Sequence, residues 1–294
     1  MTFNDNARLD PSKVRRRKRG AAIGAGGGGV LVLALALLGP ILGVDLSGVG
    51  QLLGGGGAGG GTSQDQGETL DQCQTGETAN ASLDCRMVGA ATSLDAYWAE
   101  EAGAIGVTSY ATPEFYLFEG GTETGCGSAT SAVGPFYCPP DSALYMDTGF
   151  FEDLRTRFGA EGGPLAEMYV VAHEWGHHMQ NLTGVLAESQ DGETGPTSNA
   201  VRVELQADCF AGAWAAAASD TEDPSGVPLL EEITDEQVRQ AVSAAEAVGD
   251  DRIQGTTANS HTWTHGSADQ REKWFLTGFR GGSTACDTFA PATP

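Results

Sequence analysis

The segment YVVAHEWGHHMQ, Tyr169 to Gln180, carries the tightest constraint in the chain: His173, Glu174 and His177 stand in the spacing H-E-x-x-H inside a largely apolar run. On an α-helix, positions i and i+4 share a face. Both imidazoles can therefore reach one zinc ion, with the Glu174 carboxylate beside a water on that ion. With five histidines in 294 residues, chance would produce such a pattern only about 0.006 times. Apolar residues ahead of His173 and Pro164 at a first-turn position predict a buried helix over Pro164–Leu182.

A catalytic zinc needs a third protein ligand and an open position. The long form HExxHxxGxxH would need glycine at Gln180 and histidine at Thr183, so that arrangement is excluded. Glu204-Leu-Gln-Ala-Asp208 begins 27 residues after His177, within a predicted helix over Ala200–Ala218. Its neighbours Val203, Leu205, Ala207, Cys209, Phe210 and Trp214 are mostly apolar, so the helix is buried and its acids need partners. Glu204 is the candidate third metal ligand. Asp208, one turn on, is the candidate second-sphere acceptor for a ligand histidine's other ring N–H.

Around this centre, helices are predicted at Ser93–Ala104, Phe150–Phe158, Thr234–Val248 and Ser267–Gly278, and strands at Pro113–Glu119 and Ala143–Asp147. Thr234 with Gln237, and Ser267 with Gln270, form capping-box signatures. Helix dominates over a small β part near the front, so the class is α+β.

Charge and cysteine usage bound the setting. The chain has 16 Lys+Arg against 39 Asp+Glu, and seven of the basic residues lie within residues 1–20. The remaining residues are too acidic to track phosphates, which excludes a nucleic-acid binder. A disordered acidic tail is excluded by 40% hydrophobic residues and five tryptophans. Ala21 to Val44 carry no charge and are long enough to span a bilayer. Read with the basic cluster, they predict one transmembrane helix. A signal anchor puts residues 1–20 in the cytoplasm and the domain outside the cell membrane, with a cleaved signal peptide as the alternative. A Gly-rich linker is expected over residues 45–70, then one domain over 71–294. Six cysteines suit an exported chain. Sequence proximity suggests Cys73–Cys85 and Cys126–Cys138, which leaves Cys209–Cys286.

AHEWGHHMQNLTG, with VRVELQADCFAGAWA downstream, YCPPDSALYMD upstream and THGSADQREKWFLTGFRGG near the end, resembles the bacterial putative neutral zinc metallopeptidase family over roughly residues 71–289. The resemblance implies a mainly helical, zincin-like domain of gluzincin type, with one catalytic zinc at His173, His177 and Glu204. It implies Glu174 as catalytic acid/base and a peptide or protein substrate. Trp175 departs from the smaller aliphatic residue expected there, which bears on packing rather than on metal binding.

A peptidase also needs an electrophile for the developing oxyanion. His265, just before a predicted helix start, is the candidate, with Tyr145 and Tyr137 as alternatives; satisfied polar roles for His261 and His265 are the competing reading. His178 points away from the ligand face and suits a second-sphere or packing role. Gly125–Pro135 is either an edge strand that pairs with a peptide or a surface loop. Two functions remain in view: a membrane-anchored zinc peptidase, and a non-catalytic zinc-stabilised envelope scaffold. Glu174 separates them, because a structural ion has no use for a general base.

Overall fold

The computed structural model describes residues 2–17 and 67–294. In chain order its main elements are β1 (Arg15–Arg16), β2 (Glu68–Thr69), α1 (Gly76–Ala81), α2 (Leu83–Glu101), β3 (Glu114–Phe118), β4 (Gly121–Thr124), β5 (Gly127–Thr130), β6 (Phe136–Cys138), β7 (Ala143–Asp147), α3 (Phe150–Thr156), α4 (Pro164–Thr183), α5 (Val185–Glu188), α6 (Asn199–Ala217), α7 (Asp235–Ala247), α8 (Asp250–Gln254) and α9 (Ala268–Gly281). The α+β class stands, with helix dominant. Both capping boxes form, Thr234 with Gln237 on α7 and Ser267 with Gln270 on α9. Helix α2 begins ten residues before the predicted start, where the Ser82 side chain accepts from the Cys85 N–H and caps it.

A five-stranded sheet runs in the order β2-β1-β3-β7-β6. Strands β1, β3 and β7 are parallel, and the edges β2 and β6 pair antiparallel. Successive strand side chains face opposite ways. Accordingly Phe115, Leu117, Leu144 and Met146 enter the main core. Tyr116, Phe118, Tyr145 and Phe136 build a smaller core on the other face, beneath the β4–β5 hairpin. Burial of both faces explains why FYLF reads as a continuous apolar run.

Helices α4, α6 and α9 pack closely because small residues meet at their crossings. A Cβ on Gly176 of α4 would lie 2.9 Å from the Ala207 Cα of α6. One on Gly278 of α9 would lie 1.8 Å from the Cys209 carbonyl oxygen. Trp175 is fully buried in the main core, so the departure noted in the sequence is absorbed by packing. The disulfides are Cys73–Cys85, Cys126–Cys138 and Cys209–Cys286, as proximity suggested.

Residues 2–17 overturn the expected topology. Phe3, Ala7, Leu9 and Val14 are buried in the main core, and burial of a side chain such as Phe3 or Leu9 is worth about 1.5–3 kcal/mol. Phe3 lies over Gly89 of α2, where a Cβ would meet its ring at 2.5 Å. Strand β1 is interior to the sheet, flanked by β2 and β3. The charges are matched as well: Lys13 pairs with Asp95, and Arg16 with Asp84 and Glu119. The Arg17 guanidinium stacks over the Tyr116 ring and donates to the Glu123 carbonyl. A chain with its N-terminus in the cytoplasm and its domain outside the membrane cannot place residues 2–17 inside that domain's core. The expected localisation, and the reading of residues 1–20 as a separate basic segment, are therefore corrected. Among the described residues no helix is long and apolar enough to cross a membrane. The predicted span at residues 21–44 and most of the predicted linker lie outside the described residues.

Candidate metal centre

Helix α4 starts at Pro164 after Gly163, whose φ of 110° suits glycine. From its buried face it projects His173, Glu174 and His177. Helix α6, capped by Ser198 accepting from the Val201 N–H, brings Glu204 and Asp208 against them. His173 Nε2 lies 3.2 Å from Glu204 Oε2, and His177 Nε2 lies 3.5 Å from Glu204 Oε1. Ligand atoms of His173, His177 and Glu204 all fall within 4.8 Å of one another. Two zinc bonds of about 2.05 Å at a tetrahedral angle hold their ligands about 3.3 Å apart. The donor set and spacing therefore fit zinc.

Each ligand ring is oriented through its other nitrogen. His173 Nδ1–H donates to Asp208 Oδ1 at 2.9 Å, and His177 Nδ1–H donates to Gln180 Oε1 at 2.8 Å. Both Nε2 atoms are left facing the common point. Asp208 is completely buried. Its carboxylate accepts from Arg271 Nε at 2.8 Å and Nη2 at 2.9 Å, and from the Tyr169 hydroxyl at 2.5 Å. The Gln180 amide donates to the Val203 carbonyl and to Gln206 Oε1, and Gln206 donates to the carbonyl of Cys286.

These surroundings shift the ionisable groups. Burial alone would raise Asp208, but the Arg271 charge and the His173 hydrogen bond outweigh it and hold the carboxyl below its ordinary value. Burial likewise disfavours a charged His173, yet Asp208 and Glu204 push its pKa up to about 10. An incoming metal ion must displace that proton. Glu204 is held below the usual carboxylate range: burial is outweighed chiefly by His177, His265 and His173. Glu174 moves the other way, because burial raises it more than His177 and His173 lower it. A raised carboxylate beside a metal group is suited to carrying protons.

His265 lies in the loop before α9. With Glu204 it borders both cavities that open onto the group. One Asp250 oxygen accepts the backbone N–H groups of Thr264, His265 and Gly266 at 2.7–3.0 Å. The other lies 3.5 Å from His265 Nδ1. His261 is exposed on the same loop. The alternative tyrosines are engaged elsewhere. The Tyr137 hydroxyl contacts His178 Nδ1 and accepts from Asn181, and the Tyr145 hydroxyl donates to Asp141. His178 also donates to the Ala111 carbonyl, which ties α4 to the segment leading into β3. At the sheet edge beside Glu174 stands β6, whose Tyr137 backbone amide donates toward that carboxylate. The Gly125–Pro135 segment contributes β5 of the hairpin and the turn into β6.

A family model described as putative neutral zinc metallopeptidase matches residues 5–289. The chain belongs to that family. An uncharacterized protein of Mycobacterium tuberculosis is 52% identical over 228 residues, covering 76% of each chain. The uncharacterized protein YpfJ of Escherichia coli is 39% identical over 201 residues, covering 65% of this chain and 66% of its own. No solved structure matches. Membership brings residues 5–17 into the family's domain, in agreement with their place in the core. Tyr169, Gln180, Asp250 and Arg271 surround this candidate metal group and escaped the sequence reading. Tyr169 and Gln180 had a signal, standing one helical turn from a ligand histidine. Asp250 and Arg271 had none, since their partners are distant in sequence.

Proposed function

We propose that this member of the family is a zinc peptidase that hydrolyses peptide bonds at one ion held by His173, His177 and Glu204. The observation that carries this reading is Glu174: a buried carboxyl, raised by burial, next to three converging donors and not itself among them. A scaffold ion would leave that carboxyl without a task. When bound, zinc supplies Lewis acidity that polarises a carbonyl and brings the pKa of a coordinated water to about 7. Glu174 accepts the proton of the attacking water and passes it to the leaving amine. His265, held by Asp250 at its backbone and near Nδ1, donates to the carbonyl oxygen as charge develops there. Asp208 and Gln180 fix the ligand rings so that neither turns during the reaction.

The test is Glu174→Gln in the full chain. It should bind zinc with unchanged stoichiometry and unfold at an unchanged temperature, while chelator-sensitive cleavage of a mixed peptide library falls at least about a hundredfold. Full cleavage by that variant would remove Glu174 from the mechanism. His265→Ala should lower kcat by about 10–1,000-fold with zinc content intact.

A further inference from the structure

The two cavities that open onto the metal group differ in chemistry. The one beside Glu174 is apolar, whereas the one on the far side of Glu204, of about 330 Å³, combines an apolar wall with carboxylates. Leu186 of α5 with Ala200 and Val203 of α6 makes the wall. Asp191 and Glu193 stand exposed at the rim, and among the described residues no lysine or arginine lines the space. The rim is held in place. Asp191 accepts from the Glu193 N–H and from the Asn199 amide, each at 2.9 Å. The residues that follow are tied to the His265 loop, where the Thr194 hydroxyl donates to the His261 carbonyl and the Gly195 N–H to the Trp263 carbonyl. His265, 2% exposed, lines the cavity. The Thr264 hydroxyl engages its Nδ1 at 2.9 Å, and its Nε2 has no hydrogen-bond partner among the described residues.

Building on the peptidase reading, we infer that this second cavity is a subsite for a cationic side chain, arginine or lysine, on the residue whose carbonyl is attacked. The placement follows from which groups border which space. Glu204 and His265 border both cavities, so the attacked carbonyl, which takes the Nε2 proton of His265, lies where they join. Glu174 borders only the apolar cavity, and it is the group that protonates the amine. The amine's residue therefore extends toward Glu174 and the acyl residue toward Asp191 and Glu193. The charge of the side chain follows from the lining. Arginine and lysine lay their methylenes on apolar surface and keep the charged head in water, which matches a wall of Leu186, Ala200 and Val203 below an exposed acidic rim. An acidic side chain would meet Asp191, Glu193 and Glu204 together. Size agrees. An apolar cavity of about 150 Å³ accommodates benzene, so one of about 330 Å³ admits the longest side chains.

The experiment uses the zinc-loaded full chain and peptides that differ only at the acyl residue, with citrulline as the uncharged copy of arginine. The arginine peptide should be cleaved with kcat/KM at least about fivefold above the citrulline peptide and further above the glutamate peptide. That advantage should shrink between about 0.05 and 0.5 M salt, because the rim is exposed. Glu193→Lys should abolish the preference and leave a glycine peptide unaffected. Equal cleavage of the arginine and citrulline peptides, or fastest cleavage at glutamate, overturns the subsite and leaves the peptidase reading standing. A second measurement requires no turnover: titration with N-acetyl-argininamide and N-acetyl-citrullinamide, followed by NMR. Saturable binding of the arginine compound that Glu193→Lys removes is expected. Equal binding of both, or none, overturns the subsite even if no peptide is cleaved, whereas absence of all hydrolysis alongside selective argininamide binding supports the subsite and rejects the peptidase reading alone.

Discussion

The two histidines of the candidate metal group are one helical turn apart, yet what holds them is different in kind. Behind His173 stands an ionic group with no access to water, in which Asp208 bridges the ring to Arg271 and Tyr169. Behind His177 stands a neutral chain of amides, Gln180 to Gln206 to the backbone of Cys286. A carboxylate makes the histidine a stronger base and a stronger ligand, but its own charge must be balanced once buried. An amide orients the ring without that obligation. The comparison teaches that His173 is the costlier histidine to position, and that its hold depends on Arg271, which acts on the candidate metal group through Asp208.

The largest effect should follow from breaking the charge balance. Arg271→Met leaves Asp208 buried without its counter-charge and should cost about 3–5 kcal/mol in urea unfolding. The double variant with Asp208→Leu should recover much of that. A single variant as stable as the parent would show that the ionic group contributes nothing. Next comes the ion itself. Asp208→Asn keeps the shape but not the charge and should weaken zinc by about 10–100-fold in competition with a chelator. Gln180→Leu removes only neutral hydrogen bonds, and losing the one that orients His177, worth about 1 kcal/mol, should weaken zinc about fivefold. Equal losses would erase the distinction between the two supports.

The smallest effect is in the acid limb of stability. Asp208 has a folded pKa below its ordinary value of 3.8, so its contribution is present above that value and fades as pH falls through the folded one. Asp208→Asn should therefore flatten the loss of stability below about pH 4, measured by urea unfolding across pH. Gln180→Leu should leave that slope unchanged, because an amide does not titrate.

Legibility in the sequence followed the range of the interaction. His173, Glu174 and His177 were readable because helix geometry converts a four-residue spacing into a shared face. Glu204 and Asp208 repeat that logic on a second helix, and the capping boxes on α7 and α9 act within a single turn. Residues 2–17 misled for the same reason. A basic cluster ahead of an apolar run is a local pattern, and nothing local shows that Arg16 meets Asp84 and Glu119, or that Phe3 fits over Gly89. His265 was visible as a candidate, but the Asp250 side chain that organises its loop was not.

By itself, then, the sequence determined the helix that carries the metal motif, the acidic partner helix, the α+β class and the three cysteine pairs. These follow from periodicity, capping and chain proximity. Only the tertiary structure decided which carboxylates balance which cations, how the N-terminal residues enter the sheet, and that an apolar cavity opens beside Glu174. Those outcomes depend on which buried faces meet, and a face acquires its partners only when helices distant in sequence close against one another at residues as small as Gly176 and Gly278.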